Sequence, residues 1–312
     1  MKVVEFSRET FAGSRDMHAL TTMETVLRNP DGSRWICLNT VALEHAVDKT
    51  GSDLLNEGLD EAGVEAYSLC TKGNRTAAVL IVINNELRVC VGEWNEPPSA
   101  RYLPLVSSFI LANGWDPLVK ASFTGLVKDR NGKVHDLRSF KKGDEFYGPM
   151  DLSDYKGSAL VFPEDFCVYG DHILERSRAK ITLAKGHSVL GCARYQDSQL
   201  EEIPEGSYFA RSLDIRGCYN LRSLPEDITV VRGLAMDAQI GERFTERHRI
   251  FGRVQVNYPP NDGSQVVVYS DIREAINTLK PYFMSGREGV KPERRRGSGS
   301  HLRIMRKDPR PQ

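Results

Sequence analysis

His45 is the residue whose neighbours best suit it to chemistry. Glu44 and Asp48 flank it on a segment, 41–49, that the spacing predicts to be a helix capped by Asn39-Thr40. A histidine beside two carboxylates has the ingredients of an acid/base group, because imidazole titrates near neutrality. The same residues equally describe a solvated helix face or a hydrogen-bonded core histidine. His172, His187 and His248 lie far apart in sequence, so a metal site would require the fold to bring them together. No phosphate-binding glycine loop, zinc-protease helix or nucleophile elbow is present. No metal and no cofactor is therefore expected.

The six cysteines are Cys37, Cys70, Cys90, Cys167, Cys192 and Cys218. No two are closer than twenty positions, which suits reduced thiols better than a disulfide framework or a zinc site. Cys37, Cys70 and Cys90 fall on predicted strands and read as small apolar residues. Trp94, Asn95, Pro97, Pro98 and Tyr102 form an aromatic-and-proline patch. Two readings stand for it: a groove for a partner, or a rigid turn with Tyr102 packed beneath. The last segment carries Arg294, Arg295, Arg296, Arg303, Arg306, Lys307 and Arg310 without interleaved aromatics. Such a tail can contact phosphate backbones through counterion release, without stacking on bases.

Composition bounds the rest. The chain has 312 residues, 40% hydrophobic and 27% charged, with 42 basic and 42 acidic side chains. Those values exclude collagen-like, disulfide-scaffold and wholly disordered classes. From Arg287 onward there are nine basic and three acidic residues, so a +6 tail balances a −6 body. No run of 18 apolar residues occurs, and the first residues lack the build of a signal peptide. A cytoplasmic protein without a membrane contact is the expectation.

Several elements follow from pattern. Asn29-Pro30-Asp31-Gly32 predicts a turn and 34–38 a strand after it. Leu54, Leu55 and Leu59 mark an amphipathic stretch ending near Gly63. The segments 65–70, 77–83 and 87–91 predict a three-stranded antiparallel meander, turning at Asn84-Asn85. Its middle member is a continuous apolar run, as in a strand covered on both faces. A helix starts with Pro104 in its first turn, turns Leu105, Phe109 and Ala112 inward with Val106 beside them, and stops at Asn113-Gly114. A hairpin over 123–137 turns at Asn131-Gly132.

The second half repeats. Phe162-Pro163-Glu164-Asp165, Leu183-Ala184-Lys185-Gly186, Ile203-Pro204-Glu205-Gly206 and Leu224-Pro225-Glu226-Asp227 are one phrase, spaced by 21, 20 and 21 residues. A companion phrase follows each: Val168-Tyr169-Gly170, Val189-Leu190-Gly191, Phe209-Ala210-Arg211 and Val231-Arg232-Gly233, spaced by 21, 20 and 22. Each unit has too few apolar groups to close a core alone, so stacking must supply it. On this basis the outward positions include Arg194, Asp214, Arg216 and Asp237, a mixed-charge face suited to a protein partner. Beyond the repeats, 252–256 and 265–269 predict strands and Ser270-Asp271 caps a helix through Leu279 that would close the open end.

Two resemblances accompany these readings. Leu213 to Asp227 resembles the short bacterial and phage leucine-rich repeat, and the likeness covers about 150–241. The run Trp35, Glu44-His45-Ala46-Val47-Asp48, Tyr67-Ser68-Leu69, Val79–Ile83, Gly92-Glu93-Trp94-Asn95-Glu96-Pro97-Pro98 and Arg101-Tyr102-Leu103-Pro104 resembles PcfJ-like proteins of phages and conjugative plasmids. Those proteins carry a cysteine where Ala46 stands here and glycines where Glu44 and Asp48 stand. The resemblances imply a mobile-element context and a surface that binds something.

The expected chain is α+β. A PcfJ-like module (1–120), a connecting hairpin (121–149), a leucine-rich-repeat-like solenoid (150–241), a cap (242–285) and a disordered basic tail (286–312) follow one another. Its expected function is non-catalytic recognition of a protein partner, with Arg194, Asp214, Arg216, Asp237, Trp94, Asn95 and Tyr102 as contact residues. The alternatives are an enzyme or nucleic-acid-processing accessory centred on His45, and an accessory acting on nucleic acid through its tail. The oligomeric state stays open.

Overall fold

The computed structural model describes residues 24–38, 63–241, 243–258 and 265–284. The amphipathic stretch at 54–59, the helix predicted over 41–49 with His45, and the basic tail lie outside the described residues. Those described are mostly β with few helices, a narrower result than the α+β expectation. They form two compact units. The first holds the chain up to Lys128 with Gly132–Leu137 and Tyr155–Ser158; the second holds Asp129–Asn131, Arg138–Asp154 and the chain from Ala159.

The first unit is built on a six-stranded sheet: β1 (Glu24–Arg28), β2 (Arg34–Leu38), β3 (Val64–Cys70), β4 (Thr76–Ile83), β5 (Glu86–Val91) and β6 (Asp116–Pro117). Neighbours pair in sequence order, all antiparallel except β5 with β6. The predicted meander is thus present, and β2 and β1 extend it. Ala78, Leu80 and Val82 of β4 join one buried cluster, while Val79 and Ile81 join another, so this strand is covered on both faces. Trp35 anchors the first cluster, its indole stacked on Phe109 at 4.2 Å.

Phe109 belongs to the helix Leu103–Asn113, which ends on Gly114 in the left-handed conformation (φ 69°). Leu103, Val106, Ser107, Phe109 and Ile110 are its buried residues, whereas Ala112, predicted to face inward, is exposed. The buried stripe begins one residue before Pro104 and runs 103, 106, 110, so residue 112 lies across the helix from it. The hairpin of Leu126–Lys128 with Val134–Asp136 matches its Asn-Gly signal.

The second unit winds. One ladder stacks Glu145–Phe146, Cys167–Val168, Ser188–Val189, Tyr208–Phe209, Thr229–Val230 and Arg249–Ile250 in parallel. A second stacks Met150–Asp151, His172–Ile173, Ala193–Arg194, Ser212–Asp214, Gly233–Asp237 and Arg253–Tyr258, also in parallel. A third face pairs Ala159–Phe162 with Lys180–Leu183 and adds a single bridge to Leu200. Each coil therefore supplies two or three short strands, and the ladders extend on both sides of the 150–241 span in which the repeat is legible.

The repeated phrase acquires a physical meaning. In three of its four copies the fourth residue is a corner with positive φ: Asp165 at 58°, Gly186 at 78° and Gly206 at 72°. The companion phrase is corrected by one residue in its last copy. Phe209 pairs with Val230, not Val231, and Gly233 pairs with Ser212. The valine pair Val230-Val231 hides this, because either residue fits the pattern; the structural spacing is 21 rather than 22.

The strand Gln265–Tyr269 pairs antiparallel with Arg253–Tyr258 and covers the last edge of the second ladder. The helix Ile272–Met284 follows, with Ala275, Ile276 and Leu279 buried. Its start is a reciprocal cap. The Glu274 N–H donates to Asp271 Oδ1 at 2.9 Å, and the Glu274 carboxylate accepts from the Ser270 N–H at 2.7 Å. Asp271→Ala is expected to lower the stability of this end by about 1 kcal/mol, read as a shifted urea midpoint. An unchanged midpoint would show that the cap does not hold the helix.

Candidate functional site

Alternation along the second ladder decides which side chains meet solvent. Leu213 and Ile215 point into the core and are fully buried, so Asp214 and Arg216 point out. Register then places their neighbours. Arg194 pairs with Asp214 across one coil boundary. The Ile215 N–H donates to the Ala235 carbonyl, which sets Arg216 beside Asp237 one coil further on. The four residues thus share one face, as two adjacent rows.

Local bonds hold them in place. Asp214 accepts from Arg216 Nε at 2.8 Å and also from the Gln196 amide. That hydrogen bond to Asp214 raises the Arg216 guanidinium further above its ordinary value. Asp237 Oδ2 accepts from the Gly217 N–H at 2.7 Å, while burial pushes its carboxyl above the usual range. Arg194 is exposed and pairs with Asp171 at 3.2 Å. The face is a preset array of both charge signs. It can meet complementary charges and hydrogen-bonding groups at low ordering cost.

The aromatic-and-proline patch separates into two parts. Gly92 closes a tight loop by donating to the Glu96 carbonyl at 2.8 Å, with the Pro98 backbone pressed against it. Trp94 and Asn95 occupy left-handed backbone positions at φ 59° and 58°, a strained choice for a bulky residue. The Trp94 side chain is 78% exposed as a result. Tyr102 is half-buried and packs against the sheet core, with the Arg101 guanidinium 5.3 Å from its ring. Trp94 is the displayed group.

Sequence spacing did not show that His172 and His187 meet. Both are fully buried in the solenoid, with ring centroids 5.4 Å apart. Tyr195 Oη lies 2.9 Å from His172 Nδ1 and 3.3 Å from His187 Nε2. Among the described residues His172 Nε2 and His187 Nδ1 find no hydrogen-bond partner. Burial pushes His187 down to about 3; burial, and then the neighbouring His187, hold His172 well below the usual range. Both rings are neutral at pH 7. His248 stands apart, its Nδ1 accepting from the Thr245 N–H at 3.1 Å. No group of three or more His, Cys, Asp or Glu suited to a metal occurs among the described residues.

Cys90 and Cys218 are buried; Cys37, Cys70, Cys167 and Cys192 are half-buried, and all six are free. Burial raises the thiols of Cys37, Cys90, Cys167 and Cys218, the opposite of activation. Among the described residues no helix is long and apolar enough to cross a membrane.

Fold and face together define a parallel β-solenoid over residues 145–257, of about five turns with six strand-bearing coil levels in its first ladder, that carries ordered polar rows on its outside. No family model, curated protein or solved structure matches the chain.

Proposed function

We propose that this chain is a non-catalytic interaction protein whose solenoid recognises a protein partner through the rows of Arg194, Asp214, Arg216 and Asp237. The observation that carries the reading is the preset bonding of these outward residues. Side chains already fixed by neighbours lose little entropy on docking, and mixed charge selects a complementary protein surface over a uniformly anionic polymer. Trp94 supplies a second contact on the first unit, since an exposed indole held on strained backbone is the type of group that anchors interfaces. The repeats read as leucine-rich in kind and the first unit as PcfJ-like. Their phrases support a role in the host cytoplasm for a phage or mobile element.

Affinity purification from the host cell at high salt tests this. A stoichiometric protein partner is expected with the full chain. Changing Arg194, Asp214, Arg216 and Asp237 together to alanine is expected to weaken its capture at least about tenfold while the circular dichroism stays unchanged. Equal capture by the folded quadruple variant would end the reading. Recovery of nucleic acid alone, lost at high salt or when the chain is cut at Gly286, would transfer the function to the +6 tail. A folded His45→Ala variant that loses the biological effect while keeping the partner would favour the enzymatic alternative.

A further inference from the structure

The first ladder carries a feature that the polar rows do not share. Its outer face presents Tyr147, Tyr169, Leu190, Val231 and Phe251, all between 36 and 68% exposed. Backbone bonds put them in one line. The Tyr169 N–H donates to the Phe146 carbonyl, Leu190 to Val168, Ala210 to Val189, Val231 to Phe209 and Phe251 to Val230. Ala210 fills the fourth place. Five large apolar side chains thus run along the solenoid, one per coil, with a single gap. Monomeric proteins seldom leave so regular an apolar strip in water.

The residues flanking the strip bear on what covers it. On one side the paired positions are Glu145, Cys167, Ser188, Tyr208, Thr229 and Arg249. On the other side, directly after the strip in sequence, stand Gly148, Gly170, Gly191, Arg211, Arg232 and Gly252. Arg211 and Arg232 sit on successive coils, the Arg232 N–H donating to the Arg211 carbonyl at 3.2 Å. Arg211, Arg232 and Arg249 are exposed and form no ion pair with any described residue.

We infer that this face pairs with the same face of a second copy, the two solenoids running antiparallel about a two-fold axis that lies along the strands. Such an axis maps each row onto itself in reverse, so the first coil meets the sixth. Two of the three rows then bring complementary side chains together. Glu145, whose carboxylate accepts from the Tyr147 and Tyr169 hydroxyls and keeps its charge, meets Arg249 at both ends. Leu190 meets Ala210, and Ser188 meets Tyr208, large against small. The arginines Arg211 and Arg232 fall opposite Gly191 and Gly170, where no side chain stands. Tyr147 and Tyr169 meet Phe251 and Val231.

An extended sugar chain fits less well, because the rings of Tyr147 and Tyr169 stack on each other at 4.7 Å and so turn their edges outward. Three rows over six coils at about 4.8 Å spacing cover on the order of 500 Å² per copy. Doubled, that is about the lower bound for a specific interface, so association in the micromolar range is expected. The face is separate from the one assigned to the protein partner, and the quadruple variant above leaves it intact.

Sedimentation velocity of the full chain tests the inference. A monomer of 35.0 kDa at low concentration is expected to convert to a dimer as concentration rises. Val231→Asp is expected to raise the dissociation constant at least about tenfold. Glu145→Arg and Arg249→Glu are each expected to weaken it about fivefold, and the two together to restore it to within about twofold. A monomer up to about 200 µM overturns the inference. So does a dimer indifferent to Val231→Asp, or one weakened by both charge changes and not restored by combining them.

Discussion

Acidification from pH 7 to pH 5 is expected to lower the folding stability of the solenoid by at least about 2 kcal/mol. The source is the buried pair His172 and His187. In the unfolded chain each imidazole takes up a proton below about pH 6.5. In the folded chain burial holds both neutral throughout that range, His187 down to about 3. The unfolded state therefore binds more protons as pH falls. The folded-state pKa is depressed, so the contribution is complete above about 6.5 and is lost progressively below it. His187 accounts for about 2 kcal/mol at pH 5, and His172 adds to the loss in the same direction. The groups that face the pair are Phe162, Phe166 and the Tyr195 hydroxyl. Asp237 works in the other direction, because burial raises its carboxyl, but only within the acid range of carboxylates. Urea titrations at pH 7 and pH 5 measure the loss. Replacing His187 with phenylalanine is expected to remove about 2 kcal/mol of it. A stability independent of pH between these values would mean that the pair is solvated or absent.

Gly252→Ala is expected to be the most damaging glycine-to-alanine change among the described residues. A Cβ there would lie 1.7 Å from the Arg232 carbonyl oxygen and 2.1 Å from its carbon. Neither backbone can retreat. The Arg232 N–H is bonded to Arg211, and Gly233 is paired with both Ser212 and Arg253. Relief requires opening the ladder at the last coil, so a loss above about 4 kcal/mol, or failure of that end to fold, is expected. Gly73→Ala provides the contrast, since nothing approaches its Cβ position closer than 3.9 Å. Thermal melts of the two variants decide the matter. A Gly252→Ala midpoint as close to the parent as that of Gly73→Ala would show that the coils are not stacked this tightly.

The legible part of the fold was local. The meander announced itself because Leu87, Val89 and Val91 alternate while 77–83 do not, and both patterns report faces of one strand. The coil period was legible because a positive-φ corner recurs at Asp165, Gly186 and Gly206 and tolerates few residue types. β1 was not, since Glu-Thr-Val-Leu-Arg is too short and too polar at its ends to signal a strand. The outward direction of Asp214 and Arg216 followed from alternation alone. The pairing of His172 with His187 did not. It arises where two different faces of neighbouring coils converge, and linear spacing carries no trace of that. The apolar strip was present in the text of the repeat, at Tyr169 and Leu190. It could not be told from the core, because Val168 and Val189 beside it are equally apolar and only the strand geometry separates inside from outside.

Along the parallel ladders each strand pairs only with the strands of the coils before and after it, and positive-φ corners recur from coil to coil. Duplicating one period of the gene would therefore lengthen the molecule by one strand spacing without creating a new packing problem, and deleting one would shorten it as cleanly. The length of this protein is accordingly a trait that can change in whole steps. Lineages are free to alter the reach of the solenoid long before they alter its interior.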